Sequence, residues 1–287
     1  MDRQPAVARN VWRRLEPLHA VTYFSAEPLA ALAGVGYRGF WMGYFAGRAA
    51  PLGAVGPDVV GALFYNFTPS RVARALPDAW TIASPAAALD ARRSGSVAAL
   101  RRALGDDADG PAVEEAASLA SRAARSAAPD GRALFAANAG LDWPSAPLDV
   151  LWHAATLLRE HRGDGHVALL TAARLSGRES NVFQAAAGNA TRELLAGARD
   201  YDDAEWSGVT DRLVERGLLT PDGSLTREGR SLKQDIEDRT DALALGAYAA
   251  LDDGEVDRLL AALTPLAKAV IASGDIPAAT PIGPTLN

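Results

Sequence analysis

The sequence predicts a mainly α-helical fold with short β-hairpins between some of its helices. Apolar residues recur at helical spacing near the C-terminus, over residues 232–273. Val209 and Leu213 place a second apolar stripe on one helix face, and Gly217 follows as a helix stop. Two short runs then flank the turn sequence Pro-Asp-Gly at residues 221–223, which predicts a hairpin.

The predicted order of helix, short hairpin and helix is typical of a winged helix-turn-helix segment, such as that of MarR-type regulators. Folds of this kind either read DNA or bind small molecules. The helix predicted over residues 203–216 would be the DNA-reading one, yet it carries four carboxylates against two arginines, and Asp222 adds a carboxylate to the hairpin. Since such a helix needs cations facing the phosphates, these charges disfavour DNA as a partner.

The composition of the whole chain also limits which partners and which kinds of site are expected. The 287 residues carry a formal net charge of −6, which does not favour a polyanion, and include no cysteine for a disulfide or a zinc site. The N-terminus lacks an apolar signal core, so we expect a soluble cytoplasmic protein with no membrane partner. A local basic patch would still allow DNA binding. Its candidate members are Arg71, Arg74, Arg92, Arg93, Arg101 and Arg102.

The second half of the chain echoes the first at a spacing of about 140 residues. Residues 33–49 resemble residues 173–189 in pattern, with few identities, although any two alanine-rich helical stretches could align in this way. The echo predicts two fused winged-helix halves that form a pseudodimer within one chain. The predicted divisions are an N-terminal half (1–105), a connecting helix with loops (106–131), a C-terminal half (132–275) and an extended tail (276–287).

Polar residues cluster around Gly163 and Gly165, where a helix is predicted to end and the chain to turn. A turn there could bring His161, Asp164 and His166 together, as in general acid–base catalysis or a metal site. These three residues are the catalytic candidates. The alternative is an ordinary helix end, with cations near the terminal carbonyls and Asp164 capping the next helix.

Aromatic residues concentrate in residues 39–53 and 64–69, where they predict either a core or the wall of a small-molecule pocket. Helical spacing also places Trp152, His153 and Arg159 on one face, which could meet a first-half face. The candidate ligand-binding residues combine aromatic, polar and charged side chains: Trp12, His19, Tyr23, Trp41, Tyr44, Phe45, Arg48, Tyr65, Asn66, Trp152, His153, Arg159, His161, Arg162 and His166.

Several segments together resemble an actinobacterial helix-turn-helix family related to the MarR regulators. They are HAVTYF (19–24), GFWMGYFAGRAAPLG (39–53), FYNF (64–67), LLREHRGDGH (157–166), RGLL (216–219) and IEDRTD (236–241). The resemblance spans residues 7–283 and implies a mainly helical, tandem winged-helix fold. It implies no catalytic residue.

The sequence therefore predicts a small-molecule-binding protein that holds an aromatic or polycyclic ligand between two winged-helix halves. Sequestration, sensing or conversion of that ligand would each fit. The alternatives are a MarR-type transcriptional regulator that binds DNA and an enzyme that uses a His/Asp/Arg site between the halves. No cofactor and no metal are predicted, although a histidine-ligated haem or divalent metal is conceivable. The chain is expected to be a monomer or a homodimer.

Overall fold

The computed structural model describes residues 3–277, and in this part of the chain every regular element is a helix. Three short 3-10 helices (Ala50–Leu52, Gly105–Asp109 and Gly246–Tyr248) accompany fifteen α-helices. The α-helices are α1 (Ala6–Phe24), α2 (Ala26–Gly34), α3 (Gly39–Ala49), α4 (Pro57–Phe64), α5 (Pro69–Ala73), α6 (Ala79–Ile82), α7 (Pro85–Leu104), α8 (Pro111–Ser126), α9 (Ala133–Ala139), α10 (Pro147–Ala172), α11 (Gly177–Ala186), α12 (Arg192–Arg199), α13 (Asp203–Glu215), α14 (Arg227–Leu245) and α15 (Asp253–Ala272).

Helix starts follow from local side-chain chemistry. Asp202 accepts a hydrogen bond from the Glu205 backbone N–H, and Glu205 accepts one from the backbone N–H of Asp202, so together they cap the first turn of α13. The same reciprocal arrangement opens α11 and α15. Prolines with a pre-set φ open α4, α5, α7, α8 and α10. Because these capping residues and prolines recur at short intervals along the chain, they divide it into many separate helices.

The predicted β-hairpin wings are absent from the described residues, so the predicted fold class of two winged halves is wrong and the chain is all-α. Between α13 and α14 only a single antiparallel bridge forms, between Leu219 and Leu225. Thr220 and Ser224 donate their hydroxyls to the Asp222 carboxylate, which closes the turn tightly. Leu219 is buried, so the segment packs against the helices and does not extend into a ladder.

The predicted helix end at Gly163 is also wrong, because α10 runs without interruption from Pro147 to Ala172. Gly165 lies where the guanidinium of Arg132 crosses this helix. A Cβ atom at residue 165 would lie 2.6 Å from Nη1 of Arg132. Arg132 donates to the backbone carbonyls of His161 and, at 2.9 Å, Leu243, so it ties α10 to the last turn of α14. The glycine thus permits a close approach and does not stop the helix.

The largest apolar core gathers side chains from α1, α7, α8, α10 and α15. Trp152 of α10 lies at its centre, 1% exposed, and donates its indole N–H to the Thr22 hydroxyl at 3.1 Å. The alanine-rich face of α8, in the predicted connector, is buried here as well. This core draws on helices from both predicted halves, and the proposed domain boundaries stay a prediction.

Two smaller apolar clusters lie on either side of the candidate site described below. One contains the aromatic side chains of α3 and α4, and the other is formed by α11–α14 with the end of α10. Side-chain-to-backbone hydrogen bonds join them: the Asn181 side-chain amide donates to the Asn66 carbonyl at 2.9 Å, and the Tyr65 hydroxyl donates to the carbonyl of Leu175. The N-terminal and C-terminal parts of the chain therefore meet directly here.

No helix within residues 3–277 is both long and apolar enough to cross a membrane. The predicted extended tail at 276–287 lies mostly outside the described residues, which end at Pro277.

The close packing of α2 on α7 depends on Gly95, since a Cβ atom there would lie 2.4 Å from Cα of Pro28. We expect Gly95→Ala to lower the free energy of unfolding by about 1 to 3 kcal/mol, because it forces the two helices apart. Gly61→Ala is the matched control: the space beside this helical glycine in α4 is open, and the change should stabilise by about 0.4 to 1 kcal/mol. Urea unfolding followed by circular dichroism measures both, and equal effects would contradict the packing argument.

Candidate functional site

A cleft of about 460 Å³ lies beside the middle of α10. Its other walls come from α1, α3, α4, α11, α12 and the first half of α14. Charged side chains of α1, α10 and α14 line one side, and aromatic and aliphatic side chains of α3, α4 and α12 line the other. The cleft therefore has the mixed lining that is typical of small-molecule sites.

The inner wall of the cleft is a buried ion-pair network centred on Glu160. Its carboxylate accepts hydrogen bonds from Nε and Nη2 of Arg48 at 3.1 and 3.0 Å and from Nη1 of Arg159 at 3.1 Å. Burial alone would raise the pKa of Glu160, but the two guanidinium groups outweigh it and lower that pKa to about 2. Glu160 is therefore ionised at neutral pH.

A second carboxylate extends the network to α1. Glu16 accepts from Nε of Arg159 and from the indole N–H of Trp12, each at 3.0 Å. Because each oxygen has its own donor, the position of the Trp12 ring at the edge of the cleft is fixed. The guanidinium carbon of Arg162 lies 4.4 Å from the centre of that ring, in cation–π contact.

The opposite end of the cleft is closed by α14. Arg162 donates to Asp241 at 2.9 Å, and Lys233 donates to Glu237 at 2.6 Å. His166 hydrogen-bonds the hydroxyl of Thr240 at 2.9 Å, and burial lowers the pKa of this histidine to about 4. His166 is therefore neutral at pH 7 and contributes a polar ring without charge.

The apolar wall consists of aromatic rings that pack at tilted and edge-on angles. Phe64 and Phe67 lie with ring centres 6.4 Å apart, and Tyr44 lies 5.4 Å from Phe67. The guanidinium groups of Arg48 and Arg199 lie 4.2 and 4.0 Å from the Phe64 and Phe67 ring centres. Cations and rings thus alternate along this wall, which suits a ligand with a flat apolar part.

The structure brings only part of the predicted ligand-binding set to the cleft. Seven of the candidates line it: Trp12, Tyr44, Arg48, Asn66, Arg159, Arg162 and His166. The others do not line it: His19, Tyr23, Trp41, Phe45, Tyr65, Trp152, His153 and His161. Sequence reasoning did not single out Glu16, Glu160 or Arg199 as site residues, and Arg199 is the last residue of a short helix that carries no motif.

Several of the remaining candidates support the cleft from behind. His19 is buried and hydrogen-bonds the hydroxyls of Thr156 at 3.0 Å and Tyr23 at 3.1 Å. Burial, together with the positive charge of Arg159, lowers the pKa of His19 well below its usual value. A neutral histidine here links α1 to α10 directly behind the Glu160 network.

The catalytic candidates do not converge. Asp164 accepts a hydrogen bond from the backbone N–H of Phe135 at 2.9 Å, while His166 faces Thr240 on α14. His161 packs edge-on against the Phe135 ring, with ring centres 5.0 Å apart. Residues 161 and 166 lie on one continuous helix, where a separation of five residues turns their side chains apart. The contacts in the structure thus separate His166 from the other two residues, and an acid–base role for them stays a prediction.

The predicted basic patch is not a free cationic surface. Arg71 and Arg74 both pair with Asp200, and Arg92 is buried against Asn138. The remaining three also have carboxylate partners within the chain: Arg93 with Asp149, Arg101 with Asp109, and Arg102 with Glu27 and Asp275. Charges already neutralised internally contribute little to phosphate binding.

The exposed face of α13 is acidic. Asp203, Glu205, Asp211 and Glu215 are all exposed, against Arg212 alone within the helix. Arg216, just beyond its end, donates to the backbone carbonyls of α10's C-terminal turn and to Glu179. Within residues 3–277, no group of three histidine, aspartate or glutamate side chains is placed to hold a metal ion.

Asp164 should make stability depend on pH. Burial raises its pKa to about 6, against about 3.9 in an unfolded chain, so the folded state retains a proton that the unfolded state releases. Its contribution to stability is present below pH 4 and is lost as the pH rises to 6. We expect Asp164→Asn to raise the free energy of unfolding at pH 7.5 by about 1 to 2 kcal/mol and to flatten this slope.

The control for this prediction is Asp211→Asn, a change to an exposed carboxylate on α13 that should leave the slope unaltered. Thermal or urea unfolding between pH 4 and 8 measures all three proteins. An Asp164→Asn variant that is less stable than the parent at pH 7.5 would show that the carboxylate is needed in its charged form.

Comparison with known proteins gives one match. No curated protein and no solved structure matches the chain. A family described as a helix-turn-helix family matches residues 8–277, which is nearly the whole chain. The chain therefore belongs to this helix-turn-helix family.

Proposed function

We propose that this protein binds a small organic molecule in the cleft beside α10. The observation that carries the proposal is the cleft itself: its volume of about 460 Å³ falls in the range of ligand sites, and its lining combines aromatic rings with convergent polar groups. An aromatic or polycyclic ligand fits this lining best, because Trp12, Tyr44 and Phe64 offer flat apolar surface.

The buried ion pairs beside the cleft support a binding role. Burying charges such as Glu160 and Arg48 costs desolvation free energy, and packed apolar residues of the same volume are often as stabilising or more so. Their hydrogen bonds hold Arg48, Arg159 and Trp12 in fixed orientations before any ligand arrives. Such pre-organisation favours affinity and specificity.

Binding is a better proposal than catalysis on the bound molecule. Of the residues that would have supplied acid–base chemistry, His161 and Asp164 both contact Phe135, whereas His166 hydrogen-bonds Thr240. We therefore favour two roles over catalysis: sequestering the bound molecule, or responding to its binding.

The second candidate is a DNA-binding transcriptional regulator, which membership of a helix-turn-helix family favours. The charge of α13 and the internal pairing of Arg71 and Arg74 count against it. Asp203 and Glu205 themselves pair with Arg192 and Arg178 of neighbouring helices, so those arginines too are neutralised. We therefore rank DNA binding below small-molecule binding.

The neutral fluorescent probe N-phenyl-1-naphthylamine tests the cleft. We expect the protein to bind it with a micromolar Kd, measured by the increase in probe fluorescence. Val167→Trp, which fills part of the cleft, should abolish this binding. Ala168→Trp is the matched control, because residue 168 is exposed on the same helix and outside the cleft. Equal binding by both variants would place the probe elsewhere and contradict the proposal.

For DNA, we expect no complex with a mixed-sequence duplex at about 150 mM salt, measured by fluorescence anisotropy. The physical reason is that the exposed face of α13 would bring carboxylates against phosphates. A complex with a submicromolar Kd under these conditions would favour the regulator instead. A DNA-binding protein measured in the same buffer controls for the assay.

A further inference from the structure

We infer that the ligand of this cleft carries an anionic group, and that Arg199 binds it. The inference rests on the proposed small-molecule role and names the chemical class: a carboxylate, sulfonate or phosphate attached to an aromatic or apolar body. It starts from one side chain whose surroundings differ from those of the other arginines of the cleft.

Arg199 lies in the last turn of α12 and is 8% exposed. Within the described part of the chain its guanidinium forms no ion pair, and its buried Nε has no hydrogen-bond partner. Its main neighbour is the Phe67 ring, whose centre lies 4.0 Å away. A buried cation that touches a ring but no acceptor is an expensive arrangement.

The neighbouring arginines have carboxylate partners, which Arg199 lacks within the described residues. Arg48 and Arg159 each bind a carboxylate, and Arg162 binds Asp241. Burial lowers the pKa of Arg199, and the nearby charges of Arg48 and Arg159 lower it further, yet an arginine remains protonated in proteins. Within residues 3–277, Arg199 is therefore a positive charge without a counter-charge from the protein.

The charges that line the cleft also favour an anionic ligand. Seven cationic side chains and four carboxylates line it, in a protein whose net charge is −6. An anion at Arg199 would supply acceptors for the unused N–H groups, in the bidentate geometry that a guanidinium favours. Because the side chain is buried, a small organic anion reaches it where the phosphates of a duplex would not.

Two probes of similar shape separate this inference from the proposed function. The sulfonate 1-anilinonaphthalene-8-sulfonate adds an anionic group to the aromatic body of N-phenyl-1-naphthylamine. We expect the full-length protein to bind the sulfonate at least about tenfold more tightly than the neutral probe, as one charge-assisted hydrogen bond implies. In Arg199→Met this preference should disappear, so that the sulfonate binds no more tightly than the neutral probe does to the same variant.

Arg192→Met is the matched control, since Arg192 lies on the same helix but pairs with Asp203 outside the cleft. It should keep the sulfonate preference. The melting temperature gives a readout that a purely structural Arg199 would not produce: Arg199→Met should raise it by about 2 to 4 °C, because an unpaired buried charge is removed.

The outcomes are distinct. If neither probe binds in a way that Val167→Trp abolishes, the small-molecule proposal itself fails. If both probes bind the cleft with equal affinity, or if Arg199→Met leaves the sulfonate preference intact, the small-molecule proposal stands and the anion inference is wrong. A fall in the melting temperature of Arg199→Met, with the preference retained, would assign this arginine to the fold alone.

Discussion

The ionised carboxylate of Glu160, buried at the middle of α10, is the constraint on which the rest of the site depends. A buried anion must have donors, and Arg48 of α3 and Arg159 supply them. Arg159 in turn holds Glu16, and Glu16 holds Trp12, so one charge orders side chains on three helices. The cleft exists because these helices meet around charged groups and cannot close into an apolar core.

Helices α11 and α12 form one wall of this site. α11 and α12 contribute Asn181, Gln184 and Arg199 to the cleft, and their outer contacts with the N-terminal region are polar: Asp200 binds Arg71 and Arg74. The face of α13 that a DNA-binding member of such a fold would use is acidic here. In this chain, α11 and α12 therefore line the cleft, while the exposed face of α13 carries mainly carboxylates.

Helical periodicity explains what the sequence could reveal. The predicted contact between the face of Trp152, His153 and Arg159 and a first-half face has a counterpart in the structure: His19 of α1 hydrogen-bonds Thr156, and Glu16 of α1 pairs with Arg159. The local sequence pattern was misleading at two places where tertiary contacts determine the backbone structure. The glycines near residue 163 resemble a helix end, and residues 218–226 resemble a hairpin. Arg199 could not be identified, because its significance is the absence of a partner, which only the folded chain defines.

The crossing of Arg132 over Gly165 has an evolutionary consequence. Any side chain at residue 165 would occupy the space of the guanidinium, which is fixed by the carbonyls of His161 and Leu243. A larger residue at 165 therefore requires either a shorter residue at 132 or a guanidinium that moves away from these carbonyls, whereas glycine leaves the crossing in place. In related chains that keep this crossing, the two positions are expected to covary, and their joint loss would mark members in which α14 docks differently.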